Sequence, residues 1–372
     1  MSRMVLRRLK ARKTITATAV VAALTTTALT TPLTSAAQNV PEAAARTCAL
    51  KTLPIPTGLL HTKVTGMSRD GSVVAYYAIP FDHNDPPRYP YLYANGKATK
   101  VPMPGEGQVL TDVNSKGVAV GYAQVNENWL PYVWRDGKLT RLLGGRGFAR
   151  GINEKGDIVG NLWGPVGGDG TETGATVWRA GTTNPVRLPL PKNAVWGTAT
   201  AVANDGRIVG HVTMGGDHSG DTKPYIWNVN GTGKFLPMPA GVKLADANAH
   251  PMEINGDWVG GYLHAPGIKA PGIRWNLAKG TAEMTKLGRD YEKVGIGPDG
   301  TTVGVLYNTP TAAYQIGDTV FKLPGALDPA ASSNWDNAEA ISADGSIIAG
   351  TVHVGLGANG YNNWNAVIWN CS

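Results

Sequence analysis

The turn glycines Gly71, Gly117, Gly156, Gly206, Gly256, Gly300 and Gly345 fall 39 to 50 residues apart, and each closes a copy of one phrase. The clearest copy is GINEKGDIVG at 151–160. The others are GMSRDGSVVA, DVNSKGVAVG, AVANDGRIVG, EINGDWVG, GIGPDGTTVG and AISADGSIIAG. A repeat of this period marks stacked supersecondary units, none of which can bury its apolar face alone. The architecture must therefore be an array that packs unit against unit.

Residues 149–190 show what one unit is. Ala149–Asn153 reads as a short strand and Asn153-Glu154-Lys155-Gly156 as a tight turn, with glycine supplying the left-handed residue after it. Asp157–Leu162 is a second strand, a third ends in Val177-Trp178, and a turn through Gly181 leads to a fourth at Val186–Leu190. The third strand returns at Trp134, Trp227, Trp275 and Trp369, all read as packing residues between units. The fourth returns at 139–144, 234–239, 285–288 and 321–325. Gly160 recurs as Gly121, Gly210, Gly260, Gly304 and Gly350, which points to close backbone approach between neighbouring units. Four short antiparallel strands repeated seven times describe an all-β chain folded as a single seven-bladed β-propeller.

The ends of the chain show how the ring closes. The last unit stops at Trp369-Asn370-Cys371-Ser372, after its third strand. Cys48 to Pro56 matches the missing fourth. Cys48 and Cys371, the two cysteines of the chain, then fall where other blades turn from strand three to strand four. A disulfide there replaces the covalent turn, closing a loop whose entropy is on the order of 4–5 kcal/mol.

Residues 1–37 read as a signal peptide: Arg3, Arg7, Arg8, Lys10, Arg12 and Lys13 precede an Ala/Thr/Val/Leu run, and Ser35 and Ala37 suit cleavage. Residues 38–47 read as a short flexible spacer and 48–372 as the propeller. A secreted, extracellular protein without a membrane span is expected. Outside the leader the chain carries 28 basic and 27 acidic residues, so charge gives no case for a nucleic-acid partner.

The stretch PYVWRDGKLTRLLGGRGFARGINEKGDIVG at 131–160 resembles the extracellular repeat family named for its His-Ala-Phe tripeptide (HAF), with Pro131-Tyr132-Val133 in the tripeptide's place. That resemblance implies a secreted, non-catalytic surface protein.

Repeated residues are scaffold, so binding is sought in what departs from the repeat. Strand order places the tight turns on one face and the second-to-third and blade-crossing loops on the other, and variable loops on a rigid frame commonly bind. The displaced tryptophans fall there: Trp129 and Trp364 each five residues before a motif tryptophan, Trp196 and Trp335 in blade-crossing loops, and Trp163 opening the long loop of blade three. Trp258, inside a strand, reads as core. Tyr361 and Asn363 adjoin Trp364, and Asn128 adjoins Trp129. Rings beside amides suit sugars, whose C–H faces stack while their hydroxyls take hydrogen bonds. No metal or cofactor is expected: Asp217, His218 and Asp221 offer carboxylate and imidazole ligands of the kind calcium could use, but Gly/Asp/Ser-rich loops favour turns for backbone reasons.

The chain has no nucleophile elbow, His-Glu-x-x-His or cysteine nucleophile, and no catalytic residue is assigned. The expected function is lectin-like recognition of a cell-surface or extracellular polysaccharide. The alternatives are a structural or adaptor subunit within an assembly of secreted proteins, and an enzyme acting on surface polymers.

Overall fold

In the computed structural model the described residues are 45–80, 87–164, 173–215, 221–268, 272–288, 294–306, 309–326, 336–356 and 362–372. They form seven sheets of four antiparallel strands, each sheet a blade. The innermost strands are His61–Met67, Glu106–Val113, Gly147–Ile152, Ala194–Val202, Asn248–Asn255, Gly295–Ile296 and Asn337–Ile341, for blades one to seven. Each contacts the innermost strands of both neighbouring blades, so the ring is closed.

Blade seven is built from both ends of the chain. Its outermost strand, Cys48–Thr52, pairs antiparallel with Asn362–Cys371 in the register Cys48 to Cys371 through Thr52 to Val367. The two cysteines are bonded. Thr47 and Ser372 extend the pairing by exchanging backbone hydrogen bonds of 3.0 and 2.9 Å. Arg46 is also tied down, its amide donating to the Tyr314 hydroxyl and its guanidinium to Gly345 O. The last residues of the segment read as a spacer thus already belong to the propeller. The leader, 1–37, lies outside the described residues, among which no helix is long and apolar enough to cross a membrane.

The core lies between blades. Trp178, Trp227, Trp275 and Trp369 are fully buried. Each indole N–H donates to a carbonyl of the preceding blade, at Leu143, Pro189, Pro237 and Pro324, over 2.7–3.0 Å. Burial supplies the stabilisation and the indole bond fixes the angle, so a polar atom enters the core without losing a partner. Trp134 is only half-buried. Trp258, expected in the core, is half-buried too: it lies against Gly300 with the Arg274 guanidinium 5.7 Å from its ring centre.

The fourth strands begin and end earlier than the sequence suggests. In blade five the strand is Thr281–Met284, where 285–288 was expected, and in blade three it is Pro185–Arg187. The apolar residues of these stretches, Leu142, Leu236, Leu287 and Leu323, follow the strand and drop into the core. Leu142, Leu236 and Leu323 donate their amides to the carbonyls of Pro131, Pro224 and Ala312 in the third strand.

A bulge interrupts the innermost strand of six blades, leaving one extra residue in each: Thr65, Thr111, Arg150, Thr200, Met252 and Glu339. The recurring glycine sits opposite this bulge. A Cβ at Gly160 would stand 1.9 Å from Phe148 O, and the same holds for Gly121 against Val109 O and Gly210 against Thr198 O. The close approach is therefore within a blade, where an approach between blades was expected. In blade five the role passes to Gly261, facing His250 O, while Gly260 lies against Val294 O of blade six.

Candidate functional site on the loop face

Because the strands alternate in direction, the start of each first strand, the end of each second and the start of each third gather on the loop face. The six bulge residues line a cavity of about 260 Å³ at the centre of the ring, together with Val64 and Val109. Toward the turn face a smaller cavity of about 40 Å³ shares Arg150, Thr200 and Met252 and adds Arg69 and Glu253.

Trp129 and Trp163 come together beside this channel. Trp129 makes an edge contact with Tyr122 at 5.5 Å and lies 5.8 Å from Phe148, which packs edge-on to Trp163 at 4.6 Å; Tyr122 and Phe148 are 4.3 Å apart. All four rings are half-buried. They form one aromatic surface across blades two and three, from residues 34 positions apart for the two tryptophans.

Both tryptophans belong to strands. Trp163 ends the second strand of blade three, Ile158–Trp163, and Trp129 lies within Asn128–Arg135 after a two-residue turn. In that turn Asn126 and Glu127 take φ of +47° and +64°, the left-handed pair that a tight hairpin requires. Asn128 donates to Asn126 O at 2.6 Å, so its amide serves the turn.

Trp364 forms a separate centre where blade seven meets blade one. The Lys63 ammonium is 4.6 Å from its ring centre, and His61 and His353 flank it at 5.7 and 6.2 Å. Asn363 Oδ1 is buried without a hydrogen-bond partner. Trp196 is not in a crossing loop: it belongs to the innermost strand Ala194–Val202, its indole donates to Thr198 Oγ1 at 3.2 Å, and it has no ring contact with Trp129 or Trp163. Trp335 and Tyr361 lie outside the described residues, as do Asp217 and His218. Asp221 is ion-paired with the buried Lys223. Among the described residues no group of three metal-binding side chains comes together.

The residues the sequence did not single out include a cluster where blade four meets blade five. His211 and His250 stand 4.7 Å apart, His250 stacks on Tyr262 at 4.5 Å, and Tyr262 meets His264 edge-on. Burial, then the neighbouring His250 and Arg150, hold the His211 imidazole well below its ordinary pKa. Burial and His264 push His250 down to about 4. Both rings are thus neutral at neutral pH. Arg150 extends its Nε to Asn161 Oδ1 at 3.0 Å and lies 5.1 Å from the Phe148 ring centre. Burial lowers its pKa, partly offset by Tyr122 and Tyr262.

One signal in the sequence could have found Arg150. Six residues before the turn glycines Gly71, Gly117, Gly156, Gly206 and Gly345 stand Thr65, Thr111, Arg150, Thr200 and Glu339, two charges in a column of threonines.

No protein-family model matches the chain, and no curated protein matches it. Residues 131–160 therefore stand as a resemblance to the His-Ala-Phe repeats alone. Among solved structures, an oligogalacturonate lyase in complex with manganese is similar over 87% of this chain and 96% of its own, with 12% identity and a TM-score of 0.54. The β-propeller domain of the Trilobed protease from Pyrococcus furiosus is similar over 82% and 94%, with 12% identity and a TM-score of 0.51. At such identities the likeness is one of fold.

Proposed function

We propose that the protein is a secreted, glycan-binding module that recognises a cell-surface or extracellular polysaccharide through the loop face, with no cofactor. The observation that carries this is the aromatic surface of Tyr122, Trp129, Phe148 and Trp163, half-buried and continuous across two blades. Rings held edge-on to one another leave faces for the apolar side of a sugar, and the neighbouring Arg150 and channel threonines offer donors to its hydroxyls. The disulfide between the chain ends fits an oxidising compartment, as the leader does.

A glycan array probed with the purified protein tests the reading. Binding to a defined class of oligosaccharide, lost in Trp129→Ala and in Trp163→Ala but kept in Trp258→Ala, supports it. An array without signal, with the fold intact, contradicts it.

One observation favours a second reading, an enzyme acting on surface polymers. His211 and His250, with depressed pKa, stand beside Tyr262 where blades four and five meet, and groups with such shifts are suited to general acid–base work. Turnover of cell-envelope polysaccharide that disappears in His250→Gln would establish it.

A further inference from the structure

Two buried cations among the described residues are ion-paired. The Arg274 guanidinium is held by Glu283 at 2.8 Å, and the Lys223 ammonium by Asp221. Arg150 has no such partner. It rises from the bulge of blade three into the central cavity, with Asn161 on Nε and the Phe148 ring at its side, and no carboxylate among the described residues lies within ion-pair distance of it. A guanidinium withdrawn from bulk water without a counter-charge is costly, and Arg150 is among the residues that line the cavity. Around it, Thr65 Oγ1 is buried without a partner, as is Nδ1 of the neighbouring His211.

The same geometry limits what can bind. Two terminal N–H groups in a planar fork match the two oxygens of a carboxylate. Glu339 on the same cavity, with Asp112, Glu154 and Glu253 on the smaller one beside it, leaves no surplus of positive charge, which disfavours a phosphate dianion. At about 260 Å³ the space is below that of a drug-sized ligand, and it accommodates one small acid or one sugar ring. We propose that the central cavity binds the carboxylate of a small organic acid or of an acidic sugar residue, with Arg150 as its bidentate partner.

This inference does not rest on glycan recognition by the aromatic surface, and its test keeps the two apart. Calorimetric titration of the full mature protein with acetate, D-glucuronate, D-glucose, inorganic sulfate and a glucuronate-containing oligosaccharide is the experiment. The carboxylates are expected to bind and glucose to fail. Arg150→Gln should weaken carboxylate binding about tenfold or more. Arg150→Lys, which keeps the charge but loses the fork, should recover only part of it, and this variant also guards against a glutamine variant that does not fold. Free acids binding without the oligosaccharide identifies a small organic acid. Tighter binding of the oligosaccharide, dependent on both Arg150 and Trp129, identifies an acidic glycan. Absence of carboxylate binding, equal binding by Arg150→Gln, or preference for sulfate overturns the proposal. Neutral glycans bound through Trp129 would survive that outcome.

Discussion

Arg69 Nη2 donates to the backbone carbonyl of Ile254, joining the turn after the innermost strand of blade one to the innermost strand of blade five. These blades are not neighbours, so the bond crosses the channel at its turn end. Ala343 N donates to Arg69 O, holding the arm from blade seven as well. Arg69 and Arg150 both line the smaller cavity at that end.

Replacing Arg69 by methionine should therefore cost stability. A hydrogen bond from a charged donor contributes about 1.5–3 kcal/mol. Denaturant unfolding of Arg69→Met is expected to show a loss of that order. An unchanged midpoint would mean the crossing bond does not hold in solution.

The Cys48–Cys371 bond closes a loop spanning 323 positions of sequence. By loop entropy its removal in Cys48→Ser/Cys371→Ser should lower stability by about 5 kcal/mol, less any structure the unfolded chain retains. Comparing oxidised wild type with the double variant in urea measures this directly. Equal stabilities would show that the strand pairing of blade seven suffices alone.

Gly160 and Gly137 give a matched pair. At Gly160 a methyl group would run into Phe148 O at 1.9 Å, whereas at Gly137 nothing lies within 4 Å and φ is +76°. Gly160→Ala should lose about 1–3 kcal/mol or more by forcing the bulge apart. Gly137→Ala should lose about 1 kcal/mol from backbone strain alone. Thermal unfolding of the two variants checks the order, which a reversed ranking would contradict.

Acid should weaken the fold through the His211 and His250 pair. The unfolded chain takes up a proton at His250 near pH 6.5, while the folded protein accepts it only near 4. The stabilisation is thus complete above about 6.5, declines as pH falls toward 4 and levels off below. Its size is at most on the order of 3 kcal/mol. His211, depressed by the same burial, acts in the same direction. In His250→Gln the fall of melting temperature between neutral pH and about 4 should be shallower. A slope identical to wild type would exclude the ring as its source.

The ring, its seven units and its closure were legible because turn glycines and cysteines act through backbone geometry that neighbours cannot override. Gly71, Gly156 and Gly345 all adopt the positive φ the turn demands. Strand ends were less legible: Leu287 looks like part of a strand because it is apolar, yet it packs after one. The channel was hidden for a stronger reason. An inserted residue such as Arg150 breaks the two-residue alternation by which a strand's faces are read, so its direction follows from the bulge alone. Trp129 and Trp163 were recognised as displaced. That they meet through Phe148 depends on the packing of blade two against blade three.

The most direct measurement is oxidative footprinting of the tryptophans, read by mass spectrometry, with and without a saturating oligosaccharide found by array. Trp129 and Trp163 are expected to be modified in the free protein and protected together on binding, while buried Trp178 and Trp227 stay unmodified in both. Binding that leaves Trp129 and Trp163 as reactive as before would contradict a glycan site on this face.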